Sequence, residues 1–121
     1  MAGVLVDTCG WVALVQSGLN MDSAMSNVIG KPDLIVINSV WKELEDLSKD
    51  KRGLLLDLLK SRSEIIDDPE GERHTDRMLI HLSKENGWPV LTIDTRLKQK
   101  LSDSRCSYIE LVSGRMLRLV D

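Results

Sequence analysis

Short apolar runs alternate with longer amphipathic segments along the chain, and this pattern predicts an α/β fold. Residues 4–6, 34–37 and 90–93 are continuous apolar runs rich in β-branched side chains, as expected of strands that are buried on both faces. The segments between them carry apolar residues at helical spacing. We therefore expect a single domain over residues 1–121. It should be a three-layer sandwich in which a mostly parallel, twisted sheet of about five strands lies between helices.

Six segments have the spacing and end signals of helices. They cover residues 11–15, 22–29, 40–48, 54–60, 75–86 and 95–101. Asp22 or Ser23 is suited to cap the second helix and Asn38 or Ser39 the third, while Gly87 should end the fifth. A polar segment at residues 49–53 separates the third helix from the fourth. Two short strands, residues 108–112 and 116–120, should complete the sheet at its edge.

Carboxylates stand at positions that the predicted fold brings together. Asp7 follows the first strand and Asp94 follows the third, and parallel strands share the edge at which ligands bind. Glu43 falls within the apolar stripe of its helix, and Asp76 lies in the first turn of another. Each has an ordinary alternative. Asp76 and Asp94 can serve helix N-termini, and Glu43 can bend into water.

If these carboxylates converge, they require a cation, because like charges at close range cannot all remain ionised. Ligands that are all oxygen favour Mg²⁺ or Mn²⁺. The two histidines and two cysteines do not form a cluster with the ligand spacing of zinc sites. A divalent ion held by carboxylates can activate water and stabilise charge on a phosphoryl oxygen.

The charge distribution adds a candidate polyanion surface. The net charge of −3 argues against non-specific coating of nucleic acid. Residues 96–118 nevertheless contain six basic and only two acidic side chains, while residues 43–50 are rich in acids. An acidic site for a cation beside a basic rim for a polyanion would explain this asymmetry, and so would a solvated mixed surface.

The sequence favours a cytoplasmic protein without membrane segments. Its apolar runs are too short to cross a bilayer. The first residues lead directly into the apolar run 4–6 without a basic region, so we expect no signal peptide. Cys9 and Cys106 are not part of a CxxC motif, and we expect reduced thiols.

Four segments of the chain carry a resemblance to a known family. Residues 4–8, 38–44, 75–76 and 90–98 hold the four acids in the family's order and spacing, and over nearly its whole length the chain resembles PIN-domain nucleases. The resemblance implies an endoribonuclease dependent on Mg²⁺ or Mn²⁺, in which metal-activated water hydrolyses RNA phosphodiester bonds. The catalytic and metal-binding residues would be Asp7, Glu43, Asp76 and Asp94.

The resemblance also implies partners. PIN-domain proteins often form homodimers. A VapC-type toxin would pair with an antitoxin, and a nuclease that processes ribosomal RNA would work with a ribosome-assembly protein. Five residues are candidates for contact with the RNA substrate: Thr8, Thr92, Arg96, Lys98 and Lys100. The three basic residues follow Asp94 closely and are the main candidates for phosphate contact.

Cys9 departs from the family pattern, which commonly has Asn or Ser after the Asp-Thr pair. A thiol is a weaker hydrogen-bond donor than a hydroxyl or an amide, and we expect Cys9 to be a small buried apolar group rather than a nucleophile. This departure keeps open a catalytically weak or inactive PIN-like scaffold that binds RNA or protein. A phospho-acceptor receiver domain is a further alternative, but it requires a paired acid after the first strand, where the chain has Asp7-Thr8.

Overall fold

The computed structural model describes residues 2–50 and 54–121, which form six strands and six helices. Their order follows the predicted alternation of strand and helix. The elements are β1 (Ala2–Val6), α1 (Thr8–Ser17), α2 (Met21–Ser26), β2 (Pro32–Ile37), α3 (Asn38–Asp50), α4 (Leu56–Arg62), β3 (Ser63–Ile66), α5 (Thr75–Asn86), β4 (Val90–Leu91), α6 (Thr95–Asp103), β5 (Tyr108–Val112) and β6 (Met116–Val120).

The strands form one mixed sheet with the order β3-β2-β1-β4-β5-β6. The first five are parallel, and β6 returns antiparallel to β5. Helices cover both faces. Lys98 of α6 contacts Glu110 on one face of β5, whereas α2 packs against β6 beside Leu117, whose side chain points to the other face. The predicted three-layer α/β architecture is confirmed.

The sheet has six strands rather than the expected five because β3 gave no clear signal in the sequence. Ser63–Ile66 follows α4 directly, without a turn residue between them, and only Ile65 and Ile66 are apolar. The strand pairs in parallel with β2, from Leu34↔Ser63 to Ile37↔Ile66. Its formation therefore depends on a distant partner, which local patterning does not reveal.

Four helix starts differ from the prediction, and one of them is that of α3, which begins at Asn38, two residues earlier than predicted. Helix α1 begins at Thr8, three residues earlier than predicted, with Asp7 as its N-cap. Helix α2 is capped by Asn20, whose side chain accepts a hydrogen bond from the Ser23 backbone N–H at 3.0 Å. Asp22 and Ser23 therefore lie inside α2. Helix α4 begins at Leu56, two residues later than predicted.

The N-terminus of α3 is capped from a distant loop. Asp68 accepts hydrogen bonds from the backbone N–H of Ser39, at 2.9 Å, and from its hydroxyl. The prediction that Asn38 or Ser39 would cap this helix was wrong, because a carboxylate 29 residues away supplies the acceptor. Helix α5 ends at Gly87 as predicted, with a left-handed φ of 73°. The predicted polar segment 49–53 falls partly outside the described residues, which omit 51–53.

The core is built on the central strands of the sheet. The side chains of Val4, Leu5, Val6 and Val90 are fully buried. Trp11 of α1 is also buried, and its indole N–H donates to the Leu54 carbonyl at 2.7 Å, so its one polar group is satisfied. None of the helices in the described ranges is long and apolar enough to span a membrane.

Gly10 sets the distance between α1 and the end of β4. A Cβ atom at this position would lie 2.2 Å from the Leu91 carbonyl oxygen and 3.0 Å from the Thr92 Cα. Both are backbone atoms, so a side-chain rotation cannot relieve the overlap. The absence of a side chain at Gly10 therefore allows the first turn of α1 to rest directly on the strand end.

We predict that Gly10→Ala destabilises the protein by about 2 kcal/mol or more, because the new methyl group must push α1 away from β4. Gly18→Ala, at the C-cap of the same helix, is the matched control. Its φ is 70° with open space around it, so it should cost only the left-handed strain of about 1–2 kcal/mol. Urea unfolding of both variants measures the difference, and a Gly10→Ala protein as stable as the wild type would contradict the packing argument.

Candidate active site

A cleft of about 410 Å³ opens at the edge of the sheet where β1 and β4 end. The four acidic residues singled out in the sequence all line it, as do the N-terminal turns of α1 and α5. Its remaining walls come from α1 and α3. The lining residues are Asp7, Thr8, Cys9, Val12, Ala13, Gln16, Glu43, Leu47, Thr75, Asp76, Ile93 and Asp94.

Asp7 lies deepest of the four, with only 8% of its surface exposed. Its Oδ1 accepts a hydrogen bond from the Thr8 backbone N–H at 3.0 Å. Its Oδ2 accepts from the Thr92 hydroxyl at 2.7 Å and from the Cys9 thiol at 3.1 Å. Burial raises the pKa of Asp7 above its ordinary value, and these hydrogen bonds only partly offset that rise.

The Thr92 hydroxyl joins the ends of two strands. Thr92 is fully buried. Its hydroxyl donates to Asp7 and accepts the backbone N–H of Asp94 at 3.1 Å. Asp94 is then the N-cap of α6, because its Oδ1 accepts from the backbone N–H groups of Arg96 and Leu97 at 2.9 and 3.3 Å. The capping role is therefore confirmed, and the same carboxylate lines the cleft.

Glu43 reaches the cleft from its rim, and not from the core-facing side of its helix. Its side chain is exposed, whereas Leu44 beside it is fully buried. One residue turns a helix by about 100°, so Glu43 stands at the edge of the apolar stripe. Its carboxylate accepts from the hydroxyls of Thr8, at 2.7 Å, and Thr75, at 3.5 Å.

Asp76, on helix α5, lies close enough to Asp7 for the two charges to interact. It lies in the first turn of α5 and is half-buried. Its negative charge contributes to the raised pKa of Asp7, behind the larger effect of burial. A neighbouring carboxylate makes the ionised form of Asp7 less favourable, and a bound cation would relieve this repulsion.

Cys9 contacts the site more closely than the sequence indicated. Its thiol is half-buried and donates to Asp7, and its sulfur lies 3.5 Å from the Thr92 hydroxyl oxygen. The expectation of a small apolar group was wrong, because the turn after Asp7 directs the thiol back at the carboxylate. Burial, and then the charge of Asp7, raise the pKa of Cys9. A protonated thiol is the form that can donate this hydrogen bond.

The predicted substrate-contact residues have different surroundings. Arg96 and Lys100 are exposed on α6, while Thr8 is tied to Glu43. Lys98 is only 19% exposed, because its ammonium donates to Glu110 at 2.9 Å. Their contact with a substrate remains a prediction.

Glu110 is a residue that the sequence analysis did not identify. It lies within β5, and its carboxylate also binds Arg118 of β6. The hydrogen bond from Lys98, followed by that from Arg118, lowers the pKa of Glu110 below its ordinary value. The sequence offered one signal for its role: Glu110 is a charged residue within an otherwise apolar, half-buried strand, where a charge requires a partner.

The chemistry of the donor set fits a hard divalent cation. Asp7, Glu43, Asp76 and Asp94 offer carboxylate oxygens to one cleft. Within residues 2–50 and 54–121, no three His, Cys, Asp or Glu side chains are already arranged around a single metal position. Mg²⁺ usually binds through one or two carboxylates and retains several waters. A wide acidic cleft suits that mode of binding better than it suits a closed zinc site.

Comparisons with known proteins agree with this geometry. A family model described as "PIN like domain" matches residues 4–114. Among solved structures, the chain is similar to that described as the PIN domain endonuclease Utp24, with a TM-score of 0.78 and 17% sequence identity. The superposition covers 97% of this chain and 90% of that chain. At this identity the likeness establishes the fold. No match was found among curated proteins.

We predict that, without divalent metal, Asp7→Asn raises the melting temperature at pH 7. The raised pKa means that the folded state holds the Asp7 proton more tightly than the unfolded chain. The contribution of Asp7 to wild-type stability should therefore be fullest below the ordinary pKa of 3.8 and decline as the pH rises through the folded value. The amide of the variant does not ionise and avoids this loss, so the two melting temperatures should converge near pH ~3.5. Thermal scans in EDTA across pH test this, and a gap independent of pH would contradict it.

Proposed function

The chain belongs to the PIN-like domain family, and from that premise we propose that it is a Mg²⁺- or Mn²⁺-dependent endoribonuclease. The observation that supports this most is that Asp7, Glu43, Asp76 and Asp94 line one cleft at the carboxyl end of a parallel sheet. These four would hold the ion. When bound, it would supply positive charge that acidifies water and offsets the charge developing on a phosphoryl oxygen.

The remaining side chains fix the acids in position. Thr92 and the Thr8 backbone hold the two oxygens of Asp7. The Thr8 hydroxyl donates to Glu43, so one residue contacts two carboxylates on different elements. Because Asp94 is anchored by the first turn of α6, its position follows that helix. Such restraint reduces the reorganisation needed when a charged substrate and cation enter.

The phosphate chain of RNA would be held near the cleft by the basic residues of α6. Arg96 and Lys100 are exposed on the helix that Asp94 caps, and their charges would offset phosphates on either side of the cleaved bond. Thr8 would contact the substrate from the floor of the cleft. Thr92 is fully buried and does not line the cleft, so the predicted substrate contact of Thr92 is wrong, and its hydroxyl instead holds Asp7. RNA is the polymer that the sequence resemblance implies.

Two cellular roles would use this activity. One is a toxin-type nuclease that an antitoxin restrains, and the other is a nuclease that processes ribosomal RNA beside a ribosome-assembly protein. In either role we propose a homodimer acting in the cytoplasm. The two cysteines are free thiols, as expected in a reducing compartment.

We predict Mn²⁺-dependent cleavage of end-labelled RNA by the purified chain, abolished by EDTA and reduced about 100-fold or more by Asp7→Asn. Asp33→Asn is the matched control, because Asp33 is exposed near the opposite end of the sheet. Mn²⁺ should also raise the melting temperature of the wild type and of Asp33→Asn, but not of Asp7→Asn.

Cleavage that persists in EDTA, or that Asp7→Asn retains, would contradict the proposal. A folded protein that neither cleaves RNA nor responds to Mn²⁺ would instead favour a PIN-like scaffold that binds RNA or protein. The observation that favours this alternative is the thiol of Cys9 on Asp7, where the family commonly has a stronger donor.

We predict that Cys9→Ser increases the Mn²⁺-dependent cleavage rate several-fold, roughly the effect of strengthening one hydrogen bond by about 1 kcal/mol. Cys9→Ala removes the donor at similar volume and should lower the rate. An active Cys9→Ser variant of an inactive wild type would support the scaffold, while equal rates for all three proteins would show that this donor does not matter.

A further inference from the structure

Lys98, Glu110 and Arg118 form a charged cluster outside the cleft, on the face of the sheet covered by α6. Glu110 accepts from Lys98 with one oxygen, at 2.9 Å, and from Arg118 Nε with the other, at 2.8 Å. The Glu110 side chain is 12% exposed and the Lys98 side chain 19%. The Arg118 side chain is 62% exposed. The cluster therefore has a sheltered base and one cation at the surface.

Strand register connects this cluster to the active-site cleft. The hydrogen bond from Asp7 N to Leu91 O continues the pairing of β1 and β4, and that from Thr92 N to Ile109 O continues the pairing of β4 and β5. Glu110 is paired directly with Arg118. Asp7, Thr92, Glu110 and Arg118 thus form one row across four adjacent strands. Three strand spacings of about 4.8 Å put the ends of the row about 14 Å apart.

The geometry of Arg118 leaves it able to bind a second anion. A guanidinium has five N–H donors in a planar fork. Glu110 engages Nε and Nη2 through one of its oxygens, so the outer edge of the fork is available to a ligand. An arginine that is already held in place also loses less conformational freedom when it binds.

We propose that Glu110 is a positioning residue that holds Arg118 to bind a backbone phosphate of the RNA as the strand passes from the cleft toward β6. This inference rests on the proposed function, since it concerns the path of the same substrate. Arg118 would bind one particular phosphate, which lies a fixed number of nucleotides from the cleaved bond.

The first experiment measures binding of a labelled single-stranded RNA in EDTA, where cleavage is not involved. Arg118→Gln should weaken binding about five- to tenfold and reduce the slope of log K against log salt by about one. Arg115→Gln is the matched control. It makes the same charge change in the same hairpin, but Arg115 lies in the turn before β6, next to Asn20 and Ser23 at the start of α2. Its slope should change much less.

The Glu110→Gln variant distinguishes two effects of Glu110 on RNA binding: the positioning of Arg118 and the repulsion of RNA by its negative charge. Removing a negative charge should tighten RNA binding if only the net charge matters. If Glu110 positions Arg118, the variant should bind RNA more weakly than wild type and should make the affinity insensitive to a further Arg118→Gln change. Tighter binding, or full additivity of the two changes, would overturn the positioning role. Melting curves of each variant confirm that the folded protein is being compared.

The second experiment uses Mn²⁺ and RNA with a mapped cleavage site, in which one phosphate at a time is replaced by a neutral methylphosphonate. One replacement should raise KM for wild type and for Arg115→Gln, with kcat little changed, but should not affect Arg118→Gln. If the RNA is cleaved but no methylphosphonate position shows this dependence on Arg118, the inference is overturned and the proposed nuclease activity is retained. If RNA binding depends on Arg118 but no cleavage occurs, the role of Arg118 in binding is supported and the proposed nuclease activity is overturned. A protein that neither binds nor cleaves RNA overturns both.

Discussion

The buried carboxylate of Asp7 is the constraint on which the rest of the site depends. A charge at this depth is unfavourable unless donors or a cation surround it. The chain supplies the donors from three separate sources: the backbone at Thr8, the thiol of Cys9 and the hydroxyl of Thr92. These bonds only partly offset the desolvation, and the pKa of Asp7 stays raised. The site is therefore built at some cost to the stability of the metal-free fold, as is common where binding groups are preorganised.

The fold controls that carboxylate through backbone register. Parallel pairing of β1 with β4 brings the residue after each strand to the same edge, so Asp7 meets Thr92. Gly10 then allows the first turn of α1 to rest on the Leu91 carbonyl. Helices α3 and α5 bring Glu43 and Asp76 to the rim. The positions of Asp7 and Asp94 follow the backbone closely, because each carboxylate accepts from backbone N–H groups at a helix start, whereas Glu43 is held by the hydroxyls of Thr8 and Thr75.

Local sequence patterns predicted the parts of the fold that depend on local physics. The strand end at Asp7 could be found because a buried apolar run stops abruptly at a charge. The predicted strand 90–93 was too long, since β4 ends at Leu91 and Ile93 is exposed. The wheel of α3 placed Glu43 within the apolar stripe, which was wrong, because the side chain is exposed at the rim of the cleft. The direction of that side chain depends on how the helix is rotated against β2, which is a tertiary property. Local patterns also could not predict contacts between segments that are distant in the sequence. Strand β3 needs β2 as a partner, and the cap of α3 comes from Asp68 in another loop. Glu110 is explained only when α6 and β6 converge on β5.

The link between Thr92 and Asp7 spans 85 residues of sequence, and this has a consequence for the order of events during synthesis. The first strand leaves the ribosome early, yet it occupies the middle of the finished sheet and must wait for β4 to arrive beside it. Non-local pairing of this kind is intrinsically slow, because the entropy of closing the long loop is lost before the contacts between the strands can form. A nascent chain cannot assemble the acidic cleft before Asp94 has been synthesised. The cleft therefore stays incomplete while the residues between Asp7 and Asp94 are being added on the ribosome.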